Sequence, residues 1–211
     1  MAIKTFIFST ILILLLLTQT NCVSYSTLQS ADTLPPGKMS ISGGTSIGIN
    51  NEFIEDTDNI RLLPEIGTRF GIIKNFDMGI KLIPLMTIFL DGKIQLISSP
   101  ISASFDLGFS LSAIKGSYFE YYNKTFALYP MLIIGKEHWY FGIKHIYMIR
   151  DHKFNFLGDD NFSKYSWLFP SVVVGGVIGN RFRLLPEINL YFTDGIRKIY
   201  PIPCVGIDIR F

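Results

Sequence analysis

Charged residues are scarce in this chain. Of its 211 residues only 17% are Asp, Glu, Lys or Arg, against roughly 25% in a typical soluble domain. The formal net charge is +2 and no basic cluster occurs, so the composition argues against a nucleic-acid partner. Because the hydrophobic content reaches 48%, something other than water is expected around much of the surface, unless one segment raises the average.

Sequence patterns of metal and cofactor sites are also missing. Neither the Cys-X-X-Cys nor the His-Glu-X-X-His spacing occurs, and the three histidines, His138, His145 and His152, are spaced too poorly for a metal site. The glycine-rich stretch Gly43–Gly48 lies within an alternating strand pattern with no helix after it, so it is not a nucleophile turn or a phosphate loop. We predict no metal site and no cofactor.

An apolar run long enough for a transmembrane helix is absent as well. The run Phe6–Leu17 spans 12 residues, about 18 Å of helix, which is short of a hydrocarbon core of ~30 Å. With Lys4 before it, this run is typical of an export signal, so we predict that residues 1–21 form a signal helix that is removed. An uncleaved membrane anchor is the alternative.

Only two cysteines occur, Cys22 and Cys204. Cys22 lies five residues past the apolar run, so the segment resembles a bacterial lipoprotein signal, although polar residues 19–21 precede the cysteine. The resemblance implies acylation of Cys22, and a Cys22–Cys204 disulfide in an oxidising compartment is the alternative. Residues 22–37 are polar and end in Pro-Pro-Gly. We predict a tether there, followed by a folded body at 38–211.

Residues 38–211 alternate between apolar and polar types with a period of two. In the stretch 101–113, apolar residues occupy every odd position, while Ser, Asp and Gly occupy the even ones. A helix, with its period of 3.6, could not sort these residues onto two faces. The same pattern predicts ten strands, at 38–49, 61–73, 76–83, 88–97, 100–113, 125–135, 138–150, 165–179, 182–193 and 199–211.

The predicted connections alternate between longer and shorter ones. Long polar segments follow strands one, five and seven, at 50–60, 114–124 and 151–164, whereas the even-numbered strands end in tight turns such as Lys74-Asn75. Membrane-spanning barrels are built this way, and a sheet in hydrocarbon must close on itself. We predict an all-β fold: a single up-and-down antiparallel transmembrane β-barrel of about ten strands, with eight as the alternative.

Four stretches resemble bacterial outer-membrane barrel proteins, in particular small lipid-tethered ones of spirochaete type. They are the alternating end Val205–Phe211, the entry segment Leu28–Lys38, and the stretches Asn75–Lys81 and Asp91–Leu96. The resemblance implies a place in the bacterial outer membrane, with membrane lipid as a partner. It also implies that the barrel-assembly machinery recognises the terminal strand and Phe211. It implies no particular activity.

The residues RLLPEI occur twice, at Arg61–Ile66 and Arg183–Ile188. In a helix the central proline would cost roughly 3 kcal/mol, so both copies are predicted to be strands whose Arg and Glu face the lumen. Prolines within strands predict bulges or kinks. The predicted lumen charges, which mainly pair with one another, are Arg61, Glu65, Arg69, Asp77, Lys81, Asp91, Lys93, Asp106, Lys144, Arg150, Arg183, Glu187, Asp208 and Arg210.

These features favour a structural or surface-interaction role, with an external ligand or partner bound at 50–60, 114–124 and 151–164. A narrow passive channel is the first alternative. A lipid-modifying enzyme, with Ser171 or Ser166 beside His138 or His152, is the less favoured one, and we predict no enzymatic activity. A soluble lipocalin-like barrel would need polar outward faces, which the alternation does not provide.

Overall fold

The computed structural model describes residues 26–51, 56–83, 87–116, 121–156, 159–193 and 198–211. Side chains are described for all of these except 47–51, 56–61, 113–116, 121–123, 152–156, 159–162, 193 and 198. The predicted signal helix 1–21 and Cys22 lie outside the described residues. Within them no helix is long and apolar enough to cross a membrane, which leaves crossing by strands open.

Ten antiparallel strands close into one barrel, as predicted. Each strand pairs with its neighbours in sequence, and β1 pairs with β10 to complete the ring. The strands are β1 Met39–Asn51, β2 Asp56–Ile73, β3 Phe76–Ile83, β4 Thr87–Ile97, β5 Ser102–Gly116, β6 Tyr121–Lys136, β7 Trp139–Phe156, β8 Asp159–Gly176, β9 Phe182–Thr193 and β10 Lys198–Arg210.

The alternation of residue types explains which way each side chain points. In β5, Ser104, Asp106 and Ser110 are buried inside the ring, whereas Phe105 and Leu107 are exposed on its outer surface. Across the described part of the chain, 35 large hydrophobic side chains are exposed. A soluble monomer rarely exposes more than a few hundred Å² of contiguous apolar surface. The outer face is therefore suited to an apolar surrounding.

The two ends of the barrel differ. At the turn rim, short connections at 74–75, 98–101, 137–138 and 177–181 join the strands, and the C-terminus lies beside the start of β1, where Phe211 N–H donates to the Met39 carbonyl (2.9 Å). At the opposite end, the hairpin rim, the strands reach different heights, since β7 and β8 have 18 residues each and β3 has 8.

This unevenness corrects the prediction of long loops. Most of 50–60, 114–124 and 151–164 is strand, because β2 starts at Asp56, β7 continues to Phe156 and β8 starts at Asp159. The period-two pattern missed these extensions because apolar and polar residues alternate only where one face of the sheet is apolar in its surroundings and the other is polar. Where both faces of a sheet meet water, backbone pairing continues and the alternation is no longer required.

The prediction of bulges at the strand prolines is wrong. Pairing keeps its register through Pro64, Pro130, Pro170, Pro186 and Pro203, and the irregularities lie at Ile49/Asn51, Gly71/Ile73 and Gln95/Ile97 instead. Each of these prolines is paired on one side only. On its other side the ladder ends or is interrupted, so the absent N–H faces a position where no ladder bond forms.

Candidate functional site

The lumen holds the chain's own N-terminal segment. Residues 26–36, here called the inner segment, run inside the ring, with Ser26–Ala31 and Leu34 buried. A β-turn then brings the chain out at the turn rim: Lys38 N–H donates to the Pro35 carbonyl (3.0 Å), and Gly37 has φ 73°. Pro at the second and Gly at the third turn position suit a type II turn. Sequence analysis placed a tether here and missed the entry into the lumen.

Glu187 of β9 is the centre of the contacts at the inner end of the segment. Its carboxylate accepts hydrogen bonds from the backbone N–H groups of Thr27 and Leu28, both at 2.7 Å. It also accepts from the Tyr140 hydroxyl (2.7 Å) and the Asn189 side-chain amide (2.6 Å). Four donors surround this buried carboxylate, which offsets the cost of removing it from water.

The backbone of Leu28 is bent to reach Glu187. Leu28 has φ 47°, in the left-handed region that costs a residue with a side chain roughly 1–2 kcal/mol. Consecutive N–H groups bent in this way form a concave nest that binds an anion. The strain at Leu28 is therefore explained by the two N–H groups that converge on one carboxylate.

Further along, the wall contacts the segment's carbonyl and amide groups. Lys93 of β4 donates to the Ser30 carbonyl at 3.0 Å and to the Asp32 carbonyl at 2.8 Å. Asp77 of β3 accepts from the Leu34 N–H at 2.7 Å. Lys93 Nζ also lies 3.7 Å from Asp77 Oδ2. The two residues that hold this part of the segment, one as donor and one as acceptor, therefore form an ion pair with each other.

Side chains of the segment make polar contacts with five strands of the wall. Ser26 donates to Glu65 of β2, Gln29 donates to Asp106 of β5, and Ser102 donates to Asp32. Ser30 accepts from Arg183 of β9 and Arg210 of β10, both at 3.3 Å. Thr33 donates to Gln95 of β4 (2.8 Å). The segment thus joins opposite parts of the ring.

Glycines in the wall make room for the segment. Gly44 of β1 pairs with Gly206 of β10, and a Cβ added at either would lie 2.3 Å or 2.9 Å from Leu28 Cδ1. At Gly71 of β2 an added Cβ would lie 2.0 Å from the Pro35 carbonyl oxygen. Any side chain at these positions would collide with the inner segment.

The repeated RLLPEI stretch now has a structural explanation. Both copies lie in strands, β2 and β9, and their glutamates, Glu65 and Glu187, contact Ser26 and the adjoining Thr27 and Leu28. The arginine of the second copy, Arg183, donates to Asp208 (2.8 Å) and to Ser30. The side chain of Arg61 lies outside the described residues. The repeat supplies carboxylates to the segment from two sides.

The other predicted lumen charges also point inward. Arg69 contacts Asp77 and Asp91, and Lys81 lies 3.8 Å from Glu65. Lys144 donates to Asn189 (3.4 Å), and Arg150 donates to Thr125 (3.4 Å) near the hairpin rim. Thirteen of the predicted charges thus lie in the lumen and make polar contacts there. They are Glu65, Arg69, Asp77, Lys81, Asp91, Lys93, Asp106, Lys144, Arg150, Arg183, Glu187, Asp208 and Arg210.

The lumen also holds an apolar cluster. Inward side chains of β6 to β9 form most of it, among them Tyr129, Ile133, Ile146, Val173 and Leu185, although Lys144, Arg183 and Glu187 point inward from the same strands. Sequence analysis expected charges to fill the lumen and missed this cluster. A small cavity of about 30 Å³, large enough for a water molecule or two, lies beside the inner segment.

Two of the residues considered for catalysis lie apart in the structure. Ser171 is buried in the lumen and donates to the Lys144 carbonyl (3.2 Å). His138 lies exposed in the turn before β7, beside Glu137. Ser166 is exposed on β8, and the side chain of His152 is outside the described residues. In the part of the chain that the structure describes, no cluster of three or more His, Cys, Asp or Glu side chains could hold a metal ion.

Cys204 is a free, buried thiol on the lumen side of β10. It accepts a hydrogen bond from the Asn189 amide (3.4 Å) and donates to the Ile202 carbonyl (3.5 Å). Through Asn189 and Glu187 it lies next to the inner end of the segment.

Comparisons with known proteins find a likeness in structure alone. No protein-family model matches the chain, and no curated protein matches it. Among solved structures, the translocator domain of the autotransporter NalP from Neisseria meningitidis aligns with TM-score 0.44 and 10% identity, over 86% of this chain and 91% of that one. Ail, the attachment invasion locus protein of Yersinia pestis, aligns with TM-score 0.39 and 9% identity, over 83% and 99%.

The N-terminal β-barrel domain of OprF from Pseudomonas aeruginosa aligns with TM-score 0.36 and 6% identity, over 84% of this chain and 100% of that one. At such identities and scores the likeness assigns no role to this chain.

Proposed function

We propose that this protein is an integral β-barrel of a bacterial outer membrane with a structural or surface-interaction role, anchored in addition by a lipid on Cys22. The observation that carries the proposal is a closed ring of ten strands with a hydrophobic exterior. Closure gives every strand a hydrogen-bonded neighbour on both sides, as hydrocarbon requires, and the outward side chains are the ones that lipid accepts.

The height of the apolar band supports this environment. On β7 the outward side chains are apolar or aromatic from Trp139 to Ile149, apart from His145. Ten steps of ~3.4 Å on a strand tilted by ~40° span about 26 Å. Membrane barrels have a band of ~25 Å flanked by aromatic residues. Trp139 at one end of this stretch and Tyr147 near the other are both exposed.

The hairpin rim supports the surface-interaction part of the proposal. The strands β7 and β8 continue past Ile149 to the hairpin ends Phe156 and Asp159, beyond the apolar band. In such barrels the short turns face the periplasm, so this wall would project from the cell. A projecting paired sheet with an uneven upper edge is a suitable surface for an external partner.

The occluded lumen favours this role over the passive channel. The inner segment and the apolar cluster both lie inside the ring. We therefore expect the intact protein to be silent in a planar bilayer.

The deciding experiment is gel migration after extraction in detergent. A folded membrane barrel migrates differently before and after boiling, and we expect this shift together with partition into the detergent phase. The proposal is wrong if the native protein stays in the aqueous phase without detergent.

A further inference from the structure

The inner segment is held through its main chain as well as through its side chains. Seven of its backbone groups accept or donate hydrogen bonds with side chains of the wall: the amides of Thr27, Leu28, Thr33 and Leu34, and the carbonyls of Thr27, Ser30 and Asp32. Every peptide has these groups. The contacts to these groups therefore do not depend on which side chains the bound peptide carries.

The strands of the wall do not need the segment for their backbone hydrogen bonds. None of residues 26–36 joins a β-ladder in the described part of the chain, and β1 pairs directly with β10 and β2. The ring is therefore complete around the segment. In this respect the segment resembles a bound ligand more than an eleventh strand.

One apolar side chain of the segment, Leu28, occupies a pocket of the wall. Leu28 is 8% exposed and faces the glycine pair Gly44 and Gly206, whose missing side chains leave its space. The site thus combines backbone recognition with one pocket for a leucine-sized side chain, as strand-recognising peptide sites do.

The segment separates charges that would otherwise face water. Arg69, Lys81, Lys93, Arg183 and Arg210 border the small cavity beside it. One oxygen each of Asp91 and Asp106 is buried and has no partner among the described residues, which marks a place for water. A lumen with this lining would hydrate once the segment leaves.

We propose that the inner segment is an exchangeable plug. The lumen is a binding site for one peptide segment, filled here by residues 26–34 of the same chain, and the barrel conducts ions when the plug is out. The proposal rests on the proposed function, since conduction requires that the barrel spans a membrane. Attachment in cis supplies the plug at an effective concentration of about millimolar for a short linker, so modest affinity suffices to keep the intact protein closed.

The experiment opens the link between plug and barrel after folding. Residues 35–38 are exposed at the turn rim, so a protease recognition sequence is inserted between Pro36 and Gly37 of the full-length chain. The protein is folded in detergent, cleaved, and washed in high salt and mild urea to remove the released fragment. Conductance in planar bilayers and the heat-dependent gel shift are then measured.

We expect the uncleaved insertion variant to be silent and the cleaved, washed barrel to show conductance steps. A synthetic peptide of residues 26–36 should abolish the steps. The same peptide with Leu28→Asp should need at least about tenfold more peptide for half block, since a charge cannot enter the Leu28 pocket without losing ~1.4 kcal/mol or more.

Three results would overturn the plug proposal. The washed barrel stays folded but shows no conductance, or it loses its heat-dependent shift. In the third, the Leu28→Asp peptide blocks conductance as well as the unmodified peptide does. In each case the uncleaved protein still shows the shift if it is a membrane barrel. Absence of the shift in the uncleaved protein would instead count against the proposed function.

Discussion

Gly44 and Gly206 lie opposite each other on paired strands, and Leu28 of the inner segment occupies the space that their side chains would fill. The strand residues at these positions look inward, where the alternation expects a polar or bulky side chain. An added Cβ at either position would meet Leu28, and at Gly44 it would also lie 2.9 Å from the Val205 carbonyl oxygen of the wall. The wall and the segment therefore form one packed unit, with consequences that can be measured.

The first prediction concerns the coupling between Gly206 and Leu28. Gly206→Ala places a Cβ 2.9 Å from Leu28 Cδ1 and should destabilise the barrel by about 1–3 kcal/mol, as overpacking does. Leu28→Ala should cost roughly 2–5 kcal/mol. The double variant should lose less than the sum, because the truncated residue 28 relieves the collision.

Urea unfolding of the refolded protein in detergent micelles measures these free energies. Gly92→Ala is the matched control, since an added Cβ there meets Phe76 at an ordinary 3.4 Å. Additive losses at Gly206 and Leu28 would show that the two residues do not touch in solution.

Glu187→Gln is the second prediction. The carboxylate accepts four hydrogen bonds, two of them from the Thr27 and Leu28 backbone. An amide offers one acceptor atom and turns N–H groups toward the remaining donors. Since hydrogen bonds to charged groups contribute roughly 1.5–3 kcal/mol each, we expect the free energy of unfolding to fall by about that amount or more.

A protease readout separates this effect from a general loss of stability. With Glu187→Gln the inner end of the segment should loosen, so cleavage within residues 26–34 should become faster before the barrel unfolds. Glu137→Gln, in the exposed turn before β7, is the control and should change neither quantity. Equal cleavage of both variants would argue against Glu187 as the holding group.

The third prediction tests the surroundings of the outer face. Leu107, 44% exposed in the middle of β5, should face the bilayer centre, where Leu107→Arg is expected to cost about 2–4 kcal/mol. Ile101, exposed on the same side at the turn rim, should lie near the interface, where Ile101→Arg should cost about 0–1 kcal/mol.

Folding into lipid vesicles gives both numbers under the same conditions. In a barrel surrounded by water or by protein, the loss of folding free energy would not depend on how far each substitution lies from the turn rim. Equal losses of folding free energy at the two positions would thus show that this face does not lie in a bilayer.

Periodicity predicted the wall well because the wall obeys one rule: neighbouring residues face different surroundings. The ten strands and the inward direction of residues such as Lys93 and Asp106 follow from it. The inner segment obeys no such rule. Ser26–Leu34 has no regular secondary structure, and its polar composition is also that of a linker, so only the three-dimensional contacts reveal it.

Signals of the segment existed in the wall instead. Glycines at inward positions 44, 71 and 206 and the twin glutamates of the RLLPEI copies all face it. Each has an ordinary strand interpretation when taken alone. Their common target could not be found from spacing within any single strand, because they converge from β1, β2, β9 and β10 across the lumen.

The fourth prediction concerns Cys22. Ser26 follows it by four positions in the sequence, a reach of about 14 Å for an extended chain. Ser26 contacts Glu65, which lies eight residues before the end of β2 at the turn rim, or roughly 20 Å along the barrel axis for a tilted strand. A lipid on Cys22 in the membrane leaflet at the turn rim is thus incompatible with Ser26 at Glu65. Acylated protein should carry its lipid toward the hairpin rim, or release the segment.

Mass spectrometry of the mature protein, compared with Cys22→Ser, tests the acylation itself, and we expect acyl mass that the variant lacks. Limited proteolysis of the segment in wild type and variant then tests the incompatibility. Faster cleavage in the acylated wild type would place the lipid at the turn rim with the segment withdrawn, and equal protection would place it toward the hairpin rim.

A mature mass with no acyl group, two hydrogens lighter before reduction than after, would instead establish the Cys22–Cys204 disulfide. That bond would fasten the inner segment to β10, beside the Asn189 amide that contacts Cys204.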